Sequence, residues 1–139
     1  MFWLDAVMRR SRRAPLTRDL QGLAALFAAS GTLHLVRPQI FVPIVPRALP
    51  APRGLVYASG VGELACAAGL LNPATRRTAG WASAALLVLI FPANVQMAVT
   101  EGRRADRGTG SRLKHRVTLL RLPLQIPLIR TALKATGRI

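Results

Sequence analysis

The residues best suited to chemistry in this sequence are ionisable side chains that interrupt long apolar segments. Glu63 lies in the middle of the segment LVYASGVGELACAAGLL and is the one carboxylate in any of four such segments. His34 lies near the end of the first segment, and Arg121 near the beginning of the fourth. A carboxylate and an imidazole can exchange protons, and a guanidinium can hold a carboxylate in its ionised form. Each is costly to bury without a partner or a role, so these residues define the candidate site.

Other polar residues are predicted to lie at a similar depth. If the four segments alternate in direction, the ends of the first and third and the beginnings of the second and fourth share one side. Glu63 is then the deepest polar residue, roughly 6 Å deeper than Arg121 at the helical rise. A long arginine side chain covers that distance, so we predict a Glu63–Arg121 ion pair. The full predicted polar cluster consists of His34, Ser59, Glu63, Asn94, Gln96, Arg121 and Gln125.

Two interpretations of this cluster remain open from the sequence. In one, the polar side chains only hold the helices in register, as buried polar networks in membrane proteins do. In the other, they line a ligand pocket beneath a proline-rich segment. Arg121 can also extend to the membrane interface without meeting Glu63.

Several kinds of catalytic or metal site are not supported by the sequence. Cys66 is the one cysteine, so it forms neither an internal disulfide nor a CxxC pair, and we interpret it as a small core residue. Of the two histidines, His115 lies in a charged segment, which leaves no ligand set for zinc or haem. No glycine-rich phosphate loop and no Ser/His/Asp arrangement is evident. We therefore predict no catalytic residues and no metal ligands.

The elements that must position the cluster are four apolar helices. The predicted spans cover residues 20–36, 55–71, 79–99 and 117–133. The fourth, VTLLRLPLQIPLIRTAL, holds two arginines and two prolines, which membrane helices tolerate when neighbours satisfy the freed carbonyls. The sequence thus predicts an all-α integral membrane four-helix bundle with up-down topology.

The connections between the spans are predicted from proline and charge. Five prolines in RPQIFVPIVPRALPAPRG exclude a regular helix, yet its apolar residues indicate a connection lying at the interface over the bundle. The residues ATRRT are predicted to form a tight basic turn, and TEGRRADRGTGSRLKHR a polar loop. The membrane domain, residues 20–133, is preceded by a basic interfacial segment, 1–19, and followed by a short basic tail, 134–139.

The charge of the chain favours a lipid partner over nucleic acid. Half of the 139 residues are hydrophobic, and 20 basic residues stand against 5 acidic ones. The basic residues form short clusters between apolar runs, which suits loops resting on anionic lipid head groups, and aromatic residues for base stacking are few. The numbers of basic residues on the two sides of the membrane are nearly equal. Only the N-terminal basic cluster favours an orientation in the cell membrane, with both termini inside (N-in, C-in). The alanine- and arginine-rich composition is typical of GC-rich bacterial coding.

Four stretches, taken together, resemble the DoxX family of small membrane proteins. They are SGTLHLVRPQIFVPIVPRALP, YASGVGELACAAGLLNPATRRTAGW, LIFPANVQMA and RLPLQIPL, and the resemblance covers about residues 23–133. It implies a four-helix membrane bundle, with some relatives linked to redox systems or acting as membrane assembly factors. It implies no assured reaction, and the missing cysteine pair speaks against thiol exchange.

Two functions follow as expectations. The first is an accessory protein that helps assemble or support a membrane complex, with a membrane-protein partner or a second copy of the chain. The alternative is a quinone-proximal component of a membrane oxidoreductase system, in which Glu63 and His34 handle protons in a polar pocket. No cofactor is required by the first, and a quinone is the candidate for the second.

Overall fold

The computed structural model describes residues 14–139, and this part of the chain is all-helical, as predicted. The predicted basic segment 1–19 lies largely outside the described residues. Four α-helices follow one another: α1 (Arg18–Val36), α2 (Pro52–Leu71), α3 (Arg76–Asp106) and α4 (Arg112–Lys134). Each contains one predicted span and extends beyond it.

The proline-rich connection between α1 and α2 forms two short 3₁₀ helices, Pro38–Ile40 and Val42–Ile44. Both have proline in their first turn, where the missing N–H is not needed. Ala51, just before α2, has φ 49°, a left-handed conformation that residues with a side chain rarely adopt. The connection is therefore irregular, and residues 37–51 form what we call the cover.

The predicted polar loop at residues 100–116 is wrong in its extent. The α3 helix continues through Asp106 and α4 begins at Arg112, because charged residues end an apolar run without ending a helix. Buried Glu101 supports this extension, with Arg104 Nη1 3.5 Å and Lys114 Nζ 3.4 Å from its Oε1. The chain turns where Gly108 adopts φ 69°, and Ser111 then caps α4 by accepting from the Lys114 N–H.

The turn between α2 and α3 is also shorter than predicted, because Arg76 and Arg77 belong to α3. Arg76 is 6% exposed and donates to the carbonyl oxygens of Leu70 (2.7 Å) and Leu71 (3.1 Å). These carbonyls belong to the last turn of α2, which has no helical donors for them. A third bond, 2.8 Å long, reaches the carbonyl of Ala14. Arg76 is therefore a buried residue that joins the beginning of α3 to the end of α2, rather than a solvated charge in a loop.

Each helix packs against its neighbours in sequence, and α4 also returns to α1. The α1–α2 and α3–α4 interfaces are the most extensive, whereas no Cα atoms of the diagonal pairs α1–α3 and α2–α4 lie within 8 Å of each other. Along α3, Gly80 meets the Ala132 carbonyl near the end of α4, and Gly102 meets His115 near its beginning. These paired contacts show that α3 and α4 run in opposite directions.

Small residues allow the helices to approach closely. Gly31 of α1 and Gly60 of α2 face each other so tightly that a Cβ on Gly31 would lie 2.7 Å from the Gly60 carbonyl oxygen. The hydrophobic interior includes seven alanines, with few large side chains. Close backbone approach through glycine and alanine is typical of helices packed within a membrane.

The surface of the described residues is rich in large hydrophobic side chains. Leu89 is 74% exposed and Leu120 66%, while polar residues such as Glu63 and Gln125 are buried. Two helices, α2 and α3, are long and apolar enough to cross a membrane, whereas α1 and α4 do not meet the same criterion. Exposed apolar surface on this scale is unusual for a monomer in water.

The predicted tail at residues 134–139 is partly packed. Ala135 and Thr136 are buried against Gly80, and Lys134 forms a 2.6 Å ion pair with Asp19 of α1. The hydrogen bond from Lys134 is the main reason that the pKa of Asp19 falls from 3.8 to about 2. The carboxylate therefore stays ionised at ordinary pH, and the pair joins the beginning of α1 to the end of α4.

The α1–α2 crossing gives a stability prediction. Gly31→Ala should lower the free energy of unfolding by about 1–3 kcal/mol, because the added methyl forces two backbones apart. Gly22→Ala, at an exposed site on the same helix where a Cβ meets nothing within 4 Å, is the control. It should be neutral or stabilising by up to about 1 kcal/mol. Thermal unfolding in detergent measures both, and equal effects would contradict the tight crossing.

Candidate functional site

A cavity of about 350 Å³ lies between the cover and helices α2 and α3. The cover contributes Phe41, Ile44, Val45, Pro46 and Leu49 to its wall, and α2 and α3 contribute Leu55, Val56, Ala58, Leu86, Leu89, Ile90, Pro92 and Ala93. The remaining lining residues are polar: His34, Ser59, Glu63, Asn94 and Arg121. The structure thus places five of the seven residues of the predicted polar cluster around one mostly apolar space.

Glu63 is the buried acid of this cavity. The residue is only 2% exposed, and its Oε2 has no hydrogen-bond partner among the described residues. His34 Nδ1 is the nearest cationic or potentially cationic atom, at 3.6 Å from Oε2. That distance allows electrostatic attraction but is too long for a good hydrogen bond. An acceptor oxygen of Glu63 is therefore left without a donor at the wall of the cavity.

His34 is held by its own helix and by the cover. Its Nδ1 lies 2.7 Å from the carbonyl oxygen of Ser30 and 3.5 Å from the Ser30 hydroxyl, one turn earlier in α1. The Phe41 ring stacks on the imidazole with ring centroids 3.7 Å apart and planes 14° from parallel. Because Nδ1 is used by the Ser30 carbonyl, it is poorly placed to donate to Glu63. Phe41 was not predicted as part of the site, since nothing in the sequence indicates which apolar residue of the cover meets the imidazole.

The predicted Glu63–Arg121 ion pair does not form. Both residues line the cavity, but no guanidinium nitrogen lies within 4 Å of the Glu63 carboxylate. The reason is the arrangement of the helices, because α2 and α4 are diagonal and no Cα atoms of the two lie within 8 Å of each other. Similar depth along the helix axes therefore leaves the two charges on different walls of one cavity.

Gln125 and Asn94 connect α3 to α4 behind the cavity. The Asn94 amide nitrogen donates to Gln125 Oε1 at 3.5 Å, and Gln125 Nε2 donates to the carbonyl oxygen of Leu87. Gln125 is buried but does not line the cavity, whereas Asn94 does. Gln96, the last residue of the predicted cluster, is half-buried, away from the cavity, and makes no side-chain hydrogen bond in the described part of the chain.

The arrangement offers binding chemistry more clearly than a reaction. The cavity presents an acceptor on Glu63, a cation on Arg121 and small polar groups on Ser59 and Asn94. Within residues 14–139, no three His, Cys, Asp or Glu side chains come together as a metal site. Cys66 is buried in the helical core and does not reach this cavity.

The Gln125 bridge gives a second stability prediction. Gln125→Ala should destabilise the protein by about 1–3 kcal/mol, because it leaves Asn94 without its partner and opens a small void between α3 and α4. Gln96→Ala removes a chemically identical side chain that makes no such bond, and it should change stability by less than about 0.5 kcal/mol. Thermal unfolding in detergent compares them, and similar losses in both variants would show that the bridge does not stabilise the helix pair.

Comparison with curated proteins and with solved structures finds no match to this chain. One family model, described as "Domain of unknown function (DUF8561)", matches residues 23–136, a range that includes all four helices apart from the beginning of α1. The chain therefore belongs to the DUF8561 family.

Proposed function

We propose that this chain is a multi-pass integral membrane protein whose four helices cross the bilayer and whose cavity binds a small lipid-soluble molecule. One observation carries the binding proposal. The buried Glu63 carboxylate has an oxygen without a hydrogen-bond donor, and it borders an apolar cavity of about 350 Å³. A buried acceptor of this kind is costly unless a donor completes it, and a ligand in the cavity can supply that donor.

Four spans are supported by the distribution of apolar residues. The α1 helix has 19 residues, which at about 1.5 Å per residue gives roughly 28 Å, close to the hydrocarbon thickness of about 30 Å. The α4 helix is less apolar, but it exposes Leu120, Leu124 and Ile126 while burying Gln125. Arg130 lies near its end, where a long side chain can reach the head groups. We assign the protein to the cell membrane, with both termini on the cytoplasmic side.

Membrane insertion is tested by fractionation. The protein should remain in the membrane pellet after alkaline carbonate washing and enter solution only with detergent, because its exposed apolar surface needs hydrocarbon. A cysteine-labelling series, with Cys66→Ala as the background, tests the number of spans. Cysteines at 47 and 109 should label from one side of the membrane, and cysteines at 74 and 138 from the other. Folded protein in the aqueous fraction would overturn the proposal.

The ligand is expected to be mainly apolar with a polar head. Most of the cavity wall is aliphatic or aromatic, and the polar groups gather around Glu63, Asn94 and Arg121. A cavity of this size lies within the range of small-molecule pockets in proteins. A quinone in its reduced, quinol form, whose hydroxyl groups can donate to Glu63, is one molecule that fits this description, and the resemblance to the DoxX family makes a redox-linked ligand one form of the proposal.

The binding proposal is tested by what the purified protein retains. Glu63→Gln should fold but lose most of the retained ligand, since it replaces a charged acceptor by a neutral amide of the same shape. Ala93→Leu should exclude the ligand by filling the cavity, whereas Ala85→Leu, on an exposed face of the same helix, should retain it. Mass spectrometry of lipid-soluble molecules released from each variant gives the comparison. Equal retention by Ala93→Leu and Ala85→Leu would rule out this cavity.

A supporting role in a membrane complex is the second candidate. It is favoured by a separate groove of about 500 Å³ between α2 and α3, open at the surface and lined by small residues such as Ala65, Gly69 and Ala82. Small residues on a lipid-facing surface let a partner's transmembrane helix approach closely. Ala82→Phe should then release a partner protein that co-purifies in mild detergent, while leaving any molecule in the cavity unaffected.

A further inference from the structure

An acidic and a basic side chain, Glu63 and Arg121, face the cavity without pairing with each other. Glu63 belongs to α2 and Arg121 to α4, and the carboxylate and guanidinium are more than 4 Å apart. No Cα atom of α2 lies within 8 Å of one in α4, so the two side chains stand on different walls of the cavity. A molecule in the cavity can contact both charges at once.

We infer that the cavity recognises an amphiphile whose head carries a hydroxyl group beside a carboxylate, with the hydroxyl donating to Glu63 and the carboxylate accepting from Arg121. This inference rests on the proposed function, and it narrows the ligand from any lipid-soluble molecule to one with a two-part head.

The Glu63 half of the site requires a donor. Oε2 is buried without a hydrogen bond, and His34 Nδ1, 3.6 Å away, lies 2.7 Å from the carbonyl oxygen of Ser30. A ligand hydroxyl can donate to this oxygen in a charge-assisted hydrogen bond, which is stronger than a bond between neutral groups. A ligand that offers only acceptors would leave Oε2 unsatisfied.

The Arg121 half requires an acceptor. The guanidinium is always charged and carries five N–H donors in a planar fork that matches a carboxylate. Within residues 14–139 it makes no side-chain hydrogen bond and no ion pair. Three other basic side chains are already engaged: Lys134 with Asp19, and Arg104 and Lys114 with Glu101. Arg121 is therefore free to bind an anionic head at the wall of the cavity.

A ligand with only one of the two head groups leaves either Glu63 or Arg121 without a suitable partner. A plain alcohol would satisfy Glu63 and leave Arg121 without an acceptor. A plain carboxylic acid would pair with Arg121 but bring a second carboxylate towards Glu63 with no donor between them, which is unfavourable. A hydroxyl adjacent to the carboxylate places a donor on the Glu63 side, and an aliphatic tail then lies along Leu86, Leu89 and Ile90.

The test uses three probes of equal chain length with full-length protein in detergent at neutral pH. Binding of decanol, decanoic acid and α-hydroxydecanoic acid is measured by isothermal titration calorimetry. The α-hydroxy acid should bind at least about tenfold more tightly than either of the others, the change expected from one added charge-assisted hydrogen bond.

The variants assign each half of the head to its residue. Glu63→Gln should remove most of the advantage of the α-hydroxy acid over decanoic acid, and Arg121→Gln most of its advantage over decanol. Arg130→Gln, an exposed arginine on the same helix and away from the cavity, should change neither ratio. Circular dichroism and gel filtration confirm that each variant is folded.

The outcomes separate this inference from the proposed function. Equal binding of decanoic acid and its α-hydroxy derivative would overturn the two-part head. So would an Arg130→Gln effect as large as that of Arg121→Gln. If no probe binds while Ala93→Leu still releases a retained molecule, the head chemistry is wrong and the cavity function stands. If no probe binds and Ala93→Leu has no effect on retention, both are overturned.

Discussion

The close crossing of α1 and α2 at Gly31 and Gly60 is the contact on which the site depends. At this point the two backbones nearly touch, and a Cβ on Gly60 would lie 2.8 Å from the Cβ of His34. His34 and Glu63 each lie about one turn from their glycine, so the crossing brings the imidazole to 3.6 Å from the carboxylate. Any wider separation of α1 and α2 would place a lone carboxylate in the apolar interior. The His34–Glu63 contact therefore depends on the close crossing of α1 and α2.

The same arrangement explains why a cavity exists beside Glu63. No Cα atoms of the diagonal helices α2 and α4 lie within 8 Å of each other, and residues of the cover line the space beside them. The cover is rich in proline, so it cannot form a continuous helix that would pack closely along α2 and α3. Its described backbone hydrogen bonds are local, within the cover or to the adjoining ends of α1 and α2, and its tie to the polar cluster is the stack of Phe41 on His34. The irregular cover cannot pack closely along α2 and α3, and the diagonal helix α4 does not fill the gap. A cavity therefore remains beside Glu63.

The sequence predicted the helices well and their ends poorly, for a physical reason. Apolar runs indicate which part of a helix avoids water, whereas the ends of a helix depend on capping and backbone conformation. The α3 helix passes through Arg103 and Arg104 because arginine is a good helix former, and it stops only near Gly108. The depth of each polar residue was also predictable from its position along its segment. Its direction around the helix axis was not, which is why Glu63 and Arg121 share a cavity but not an ion pair.

Hydrogen bonding distinguishes the polar residues that hold this protein together from those that can bind a ligand. Buried Arg76 and Gln125 have their donors satisfied by carbonyl oxygens of neighbouring helices, so their role in the fold explains their burial. Among the described residues, three buried side-chain atoms have no partner: Glu63 Oε2, Ser83 Oγ and His115 Nδ1. Ser83 is a neutral residue of α3 and is fully buried. His115 lies against Gly102, more than one helical turn along α3 from the residues that line the cavity. Only Glu63 combines a costly carboxylate with an adjoining cavity. A network serving structure alone has no reason to leave its most expensive acceptor unsatisfied, and this favours a ligand at Glu63.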